Sequence, residues 1–518
     1  MIMAKKLNEV FIVIENDKQK DDFLKQLFRP ASLCYELLDG ILNHLKMPFT
    51  IINESNHIDA SYRDTYYMYF SNKHFDIERY SKRFSFFRGR LSYLEFIEIG
   101  NDKKIQGKFM GSLVINPIGD GLIGKTLLAP QYVVNKEKYP VFIRTSKFVL
   151  NVLGKRLEVE AFPYRMQDRE TMTCAEVTLL NILEYFSNSY HDYKSVTPSE
   201  IIKSEQEHNH ERVLPSRGIT YPVLTKVLSD FGFSPRLYNV FAIKNPVFSK
   251  RKQIDELRRW IYYYIESGIP IAMNFNPVAD LGVGHSVVCI GHGRKNDQLK
   301  KKAYSNMLCM RGRKMHPLIN AADFYDDYVI MDDNASPYKF FNIYDEYAYN
   351  YMQITNIAVP LYKRMFLDAP NAADLIYQIL QHESYGIMAW EKGYLTPEQP
   401  VIVRIFMASS RSFKRFRVST LESLEERMLY SNLRLPRFVW VCELYTEQGF
   451  EENRAFAELV VDATASGSRG IMSVLLMHYP KVITIRNPED NDPDFKKQFE
   501  LSNVNEFDGF NANLTIIK

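Results

Sequence analysis

The sequence predicts an α+β fold, with a central region in which helices come before strands and a mixed α/β region on either side. Two observations carry this. Between residues 163 and 362, four amphipathic stretches come first and four apolar β-forming runs follow. That order fits segregated helices and a largely antiparallel sheet. The chain has 518 residues, and at roughly 150 residues per domain this means about three domains. Shifts in pattern place them at 1–162, 163–362 and 363–518.

Composition narrows the class. Hydrophobic residues make up 46% and charged residues 25%, as in ordinary globular chains. Aromatic residues reach 14%, enough to build large cores. A formal charge of +3 argues against a global nucleic-acid or membrane role. The five cysteines are scattered and form no CxxC pair, so neither a disulfide framework nor a zinc ribbon is expected. The N-terminal MIMAKKLNEVFIVIENDKQK has a short apolar run without a signal-cleavage pattern. No apolar run approaches the ~20 residues of a membrane span. The expectation is a soluble, cytoplasmic protein without a cofactor or metal.

The elements follow in order. In residues 1–162, NEVFIVI reads as a strand, and KDDFLKQLFRPASLCYELLDGILNHL reads as helix broken at Pro30. Alternating runs at 108–118, 139–146 and 154–162 read as strands. In the central region a helix starts near Cys174. VTPSEIIKSE starts a second, with Thr197 as N-cap and Glu200 closing a capping box. A third ends at Gly232 and a fourth at Gly268, each glycine serving as a C-cap. Strand patterns follow at 269–275, 285–291, 327–333 and 354–362. The C-terminal region has strand patterns at 401–408, 437–445, 457–464 and 481–487, with LTPEQP (395–400) separating helix from sheet.

Cys174 is the residue that asks for chemistry. It lies in QDRETMTCAEVTLLNILEYF, at the start of an amphipathic helix. A helix N-terminus and a nearby imidazolium both favour a thiolate. An acyl carbon attacked by that thiolate develops an oxyanion, which needs N–H donors. The Cys174 amide and the Gln167 side chain are candidates. Taken alone, a buried structural cysteine is the commoner case. His285 opens the run HSVVCIG after Gly282 and Gly284. On a strand His285, Val287 and Cys289 would share a face, and the glycines would allow close approach of another segment. His292, in GHG just after the run, is the competing histidine and ranks lower. Asp332 and Asp333 close YVIMDD, where a carboxylate could orient the imidazole. Asp332 is the first choice and Asp333 the alternative. The two should alternate in facing, although acids at a strand end also serve as ordinary turn residues.

With these residues in place, the chain resembles the papain-like cysteine peptidases, and within them the bacterial bacteriocin-leader-processing (peptidase C39-like) branch. The likeness rests on QDRETMTCAEVTLLNILEYF, SRGITYPVLTKVLSDFGF, GIPIAMNF, GHSVVCIGHG and YVIMDDNASPY, within roughly residues 163–360 only. It implies a helical half carrying Cys174, a sheet half carrying His285 and the acid, and Gln167 as the oxyanion-hole glutamine. Gln167 lies seven residues before Cys174, slightly further than is usual in the family. Ala175 stands where many relatives have glycine.

The resemblance implies a thiol hydrolase, a peptidase or isopeptidase working through a Cys-His-Asp triad on a peptide or protein substrate. Two alternatives use the same residues differently. A transamidase would pass the thioester to an amine, and an inactive scaffold would use the fold only for binding. Other motifs carry less. The stretch 294–316 holds eight Lys/Arg against one Asp and lies between the His and Asp strands. It is expected to overhang the site, either as a lid or docking loop for an acidic partner or as a solvated insertion. It lacks the interleaved aromatics of a base-stacking surface. HNHE (208–211) is a poor metal pattern, and ATASGSRG (463–470) lacks phosphate-loop spacing.

Overall fold

A computed structural model describes residues 10–209, 211–240, 250–277, 284–308, 316–345, 352–390, 393–396, 399–486, 497–501 and 506–518. It is a mixed α+β molecule built on three main sheets. The first is a five-stranded antiparallel meander, Phe11–Ile14, Phe49–His57, Ser81–Arg88, Phe109–Asn116 and Leu122–Leu128, in sequence order. Helices Asp17–Leu27 and Leu33–Asn43, broken at Pro30 as the pattern predicts, cover one face. Phe23 there meets Phe84 edge-on at 5.5 Å. The hairpin Ser146–Val152/Lys155–Ala161 covers the other face through Phe148, Val152 and Leu157. Phe109–Asn116 is consequently buried at every position, as expected of a strand covered on both sides.

The central region supplies helices α1 (Cys174–Ser189), α2 (Pro198–His208), α3 (Tyr221–Asp230) and α4 (Lys250–Glu266). Its sheet has eight strands: β1 (Val141–Ile143), β2 (Arg236–Asn239), β3 (Ile271–Pro277), β4 (His285–His292), β5 (Asp327–Met331), β6 (Lys339–Asn342), β7 (Met352–Val359) and β8 (Thr515–Ile517). The main path runs β6-β5-β4-β3-β7-β2, all antiparallel. The α1 helix packs on β4 and is buried nearly all round from Ala175 to Phe186, polar Glu176, Thr178 and Asn181 included.

Two departures from the sequence reading have local causes. The run 139–146 is not one strand. It breaks at Arg144, whose amide donates to Ile290 O at 2.8 Å while its guanidinium donates to Asn513 O at 2.6 Å. The run 327–333 stops pairing at Met331, opposite Val288.

The third sheet joins strands 318–320, 401–409, 438–445, 457–462, 474–479, 482–485 and 497–500, with only the first pair parallel. Strand pairing therefore crosses the sequence divisions. The early β1 and the late β8 pair into the central sheet, and 318–320 leaves the central region to edge the third sheet. At the β1–β4 contact, a Cβ on Gly291 would stand 2.2 Å from Phe142 O, so only glycine permits this approach. One apolar core runs through all three sheets.

Candidate functional site

The site is assembled where the start of α1 meets the starts of β4 and the turn after β5. Cys174 is the first residue of α1, and Thr173 is its N-cap. Thr173 N donates to Glu176 Oε2 at 3.1 Å and the Thr173 side chain accepts from the Glu176 amide, a capping box, while its hydroxyl also bonds that carboxylate. Glu176 was not singled out in the sequence, although T-C-A-E carries the same signature that marks Thr197 and Glu200. The loop before it is pinned by Asp168, whose Oδ1 accepts from the amides of Glu170, Thr171 and Met172 at 2.9, 2.7 and 2.9 Å. This turn places Arg169 at a φ of 62°. The backbone N–H of Cys174 is among the donors a helix start leaves without an intrahelical partner.

His285 begins β4, paired opposite Phe275 of β3. Gly284 before it permits close approach, as a Cβ there would lie 2.8 Å from Asn276 Oδ1 and 3.0 Å from Phe275 O. Gly282 lies outside the described residues. His285 Nε2 donates to Asp332 Oδ1 at 2.9 Å, with Asp333 Oδ1 at 3.7 Å. The Cys174 side chain also interacts with the ring. Burial works against the imidazolium. The bonds to Asp332 and Cys174 and the charges of both aspartates outweigh it and raise His285 to about 10.

Both aspartates reach the histidine, contrary to the alternation expected of them. The physical reason is that β5 ends at Met331. Asp332 and Asp333 occupy a turn, in which Ala335 N donates to Asp332 O at 3.1 Å, and the period-two rule no longer applies. Their environments differ sharply. Asp332 is buried, but His285, Lys339 Nζ at 3.2 Å and the amide of Asn334 at 3.0 Å hold its carboxyl well below the usual range. Burial and the neighbouring Asp332 charge push Asp333 up to about 7, only partly offset by His285. Asp333 Oδ2 has no hydrogen-bond partner among the described residues.

Gln167 is half-buried on the cleft wall and donates to Asn334 Oδ1 at 3.3 Å. Cys174, His285, Asp332 and Gln167 all line one cleft of about 910 Å³. Cys174 is its only cysteine among the described residues. Cys289 and Cys442 are fully buried, and burial pushes the Cys289 thiol up to about 12. Cys309 lies outside the described residues. His292 is the last residue of β4 rather than a residue beyond it. It is buried and held by Glu266 Oε1 at 2.7 Å, and it does not line this cleft.

The ligand atoms of His285, Asp332 and Asp333 lie within 4.8 Å of one another and could hold a cation. The Lys339 ammonium already supplies positive charge at Asp332. In HNHE, His208 pairs with Asp230 at 2.7 Å, and His210 lies outside the described residues. The basic stretch does not overhang the cleft where it is described. Its helix 297–308 packs beside strand 318–320, and Lys295 and Lys300 pair with Glu451 and Glu447 of the C-terminal region. Chain routing explains this, since the segment leaves the central sheet to edge the third one. Residues 309–315 lie outside the described residues. Among the described residues, no helix is long and apolar enough to cross a membrane. In comparisons with known proteins, no family model matches this chain and no curated protein matches it.

Proposed function

We propose that the chain is a cysteine hydrolase cleaving a peptide or isopeptide bond, related in plan to the papain-like peptidases. The observation that supports it best is the continuous line from Cys174 through His285 to buried Asp332, opening on a cleft. A nucleophile, a base and an orienting acid in hydrogen-bond contact are the requirements for thiol acyl transfer.

In this reading the Cys174 sulfur attacks the acyl carbon at the start of α1, where the helix dipole favours negative charge. The oxyanion is met by the Cys174 amide and the Gln167 side-chain amide. The imidazolium of His285 gives its proton to the leaving amine. The neutral ring then takes a proton from water, which attacks the thioester and regenerates the thiolate–imidazolium pair. Asp332 stabilises the charged ring throughout.

Thiol chemistry tests this. Iodoacetamide treatment followed by peptide mass mapping should modify Cys174 well ahead of Cys34, Cys289 and Cys442. His285→Ala should slow that modification, and should lower turnover of a responsive peptide by about 10³-fold. Equal rates with and without His285 would refute the activated nucleophile and leave the cleft a binding surface.

A further inference from the structure

Four charged side chains line the Cys174 cleft among the described residues: Arg217, His285, Asp332 and Lys339. Three of them answer one another, with His285 and Lys339 both on Asp332. Arg217 stands apart. It is exposed on the cleft lip, and no hydrogen bond or ion pair engages it among the described residues.

Its backbone is nevertheless tied to the first turn of α1 through Ser216. Ser216 N donates to Glu170 O at 2.7 Å, and the Ser216 hydroxyl donates to Glu176, the residue that caps α1. Gly218 N donates to Ser216 Oγ at 3.2 Å. Gly218 has a φ of 84°, and a Cβ on it would be in ordinary contact, 3.7 Å, with Thr173 Oγ1. Arg217 thus follows a residue tied to the capping carboxylate Glu176 and precedes a glycine that lies beside Thr173. A guanidinium kept there without a partner is a planar donor fork whose natural complement is a carboxylate.

We propose that Arg217 is a specificity-determining residue that binds a carboxylate of the substrate close to the scissile bond, either an acidic side chain or a free α-carboxylate. This rests on the cysteine-hydrolase reading, but it can be tested apart from turnover. Iodoacetate and iodoacetamide are similar in size and differ in a carboxylate, so the ratio of their rates at Cys174 reports carboxylate affinity beside the sulfur, even for a slow thiol.

Arg217→Ala should lower that ratio about fivefold or more, Arg217→Glu should lower it further, and Arg217→Lys should restore part of it. Arg212→Ala, outside the cleft, should leave it unchanged, and added salt should compress the wild-type ratio. In quenched-fluorescent peptides scanned with Glu, Gln or Lys around the cleaved bond, and made with free or amidated C-termini, the wild type should prefer the carboxylate at one position. Whether that position is a side chain or the C-terminus identifies the source. Arg217→Glu should favour Lys there. A ratio unaltered by Arg217→Ala would overturn the carboxylate site even if peptides are cleaved. A ratio that falls as expected, with no peptide cleaved, would uphold the site and count against the hydrolase.

Discussion

Asp332 and Asp333 are neighbours in sequence and equally buried, with side chains 2% exposed, yet they carry opposite electrostatic character. Asp332 has three donors and stays ionised, whereas Asp333 has an oxygen without a partner among the described residues and is raised to about 7 from an ordinary 3.8. Their substitutions should therefore differ. Asp332→Asn removes the charge that supports the imidazolium and should lower turnover about a hundredfold or more. Asp333→Asn should instead stabilise the fold above neutral pH. A folded-state value above the unfolded one means that the native protein holds a proton the unfolded chain has lost. Wild-type stability from this group thus falls as pH rises from about 3.8 to about 7. His285, raised from 6.5 to about 10, contributes stability that is complete below 6.5 and is lost as pH rises through about 10. Calorimetry of wild type and Asp333→Asn across this range should show the acid-side decline flattened in the variant. At pH 8 its Tm should be higher by about 2 °C or more, and an unchanged slope would contradict the buried neutral acid.

At the scale of elements, the first turn of α1 does more than present the sulfur. The Glu176 carboxylate bonds the Thr173 amide, the Thr173 hydroxyl and the Ser216 hydroxyl, so one side chain ties the first turn of α1 to the loop that carries Arg217. Thr173→Ala should cost about 1 kcal/mol of stability, measured as a shift in urea midpoint at unchanged slope. Glu176→Gln keeps one acceptor and should cost less. These elements also show what was readable in the sequence. Caps at Thr197, Gly232 and Gly268 and the break at Pro30 depend on a few adjacent residues, and the structure has them where the sequence puts them. The Cys174 helix and the His285 strand were readable for the same reason. The shared orientation of Asp332 and Asp333 was not, because it depends on where β5 loses its partner. The separation of the basic stretch from the cleft was not either, because a three-residue strand pairing 83 positions away, Ile319 with Ile402, leaves no local pattern.

The whole molecule is bound by a feature that is equally silent in sequence. Arg404, Glu443, Glu458 and His478 are successive cross-strand partners in the third sheet, each inside a run that otherwise reads as apolar core. Arg417 joins Glu443 and Glu458, both at 2.6 Å, with all three side chains fully buried. Arg404 reaches out of this row to Glu266 at the end of α4, whose other oxygen takes His292 at the end of β4. Glu266 thereby links the third sheet to the strand that carries His285 at its opposite end. Despite burial, Arg404 and His292 hold its carboxyl well below the ordinary range. Glu266→Ala would leave His292 without this acceptor and Arg404 one carboxylate short inside the core. Breaking a buried pair in this way costs about 3–5 kcal/mol, and urea unfolding should record a loss of that size. Because one apolar core spans the sheets, the loss should appear as one earlier transition, with near-UV dichroism and Cys174 protection from alkylation changing together. Glu266→Gln, which keeps the shape and part of the hydrogen bonding, should lose less. Two separate transitions in Glu266→Ala, with the third sheet melting ahead of the site, would instead mean that the apolar contacts alone do not couple them and that the carboxylate is the joint.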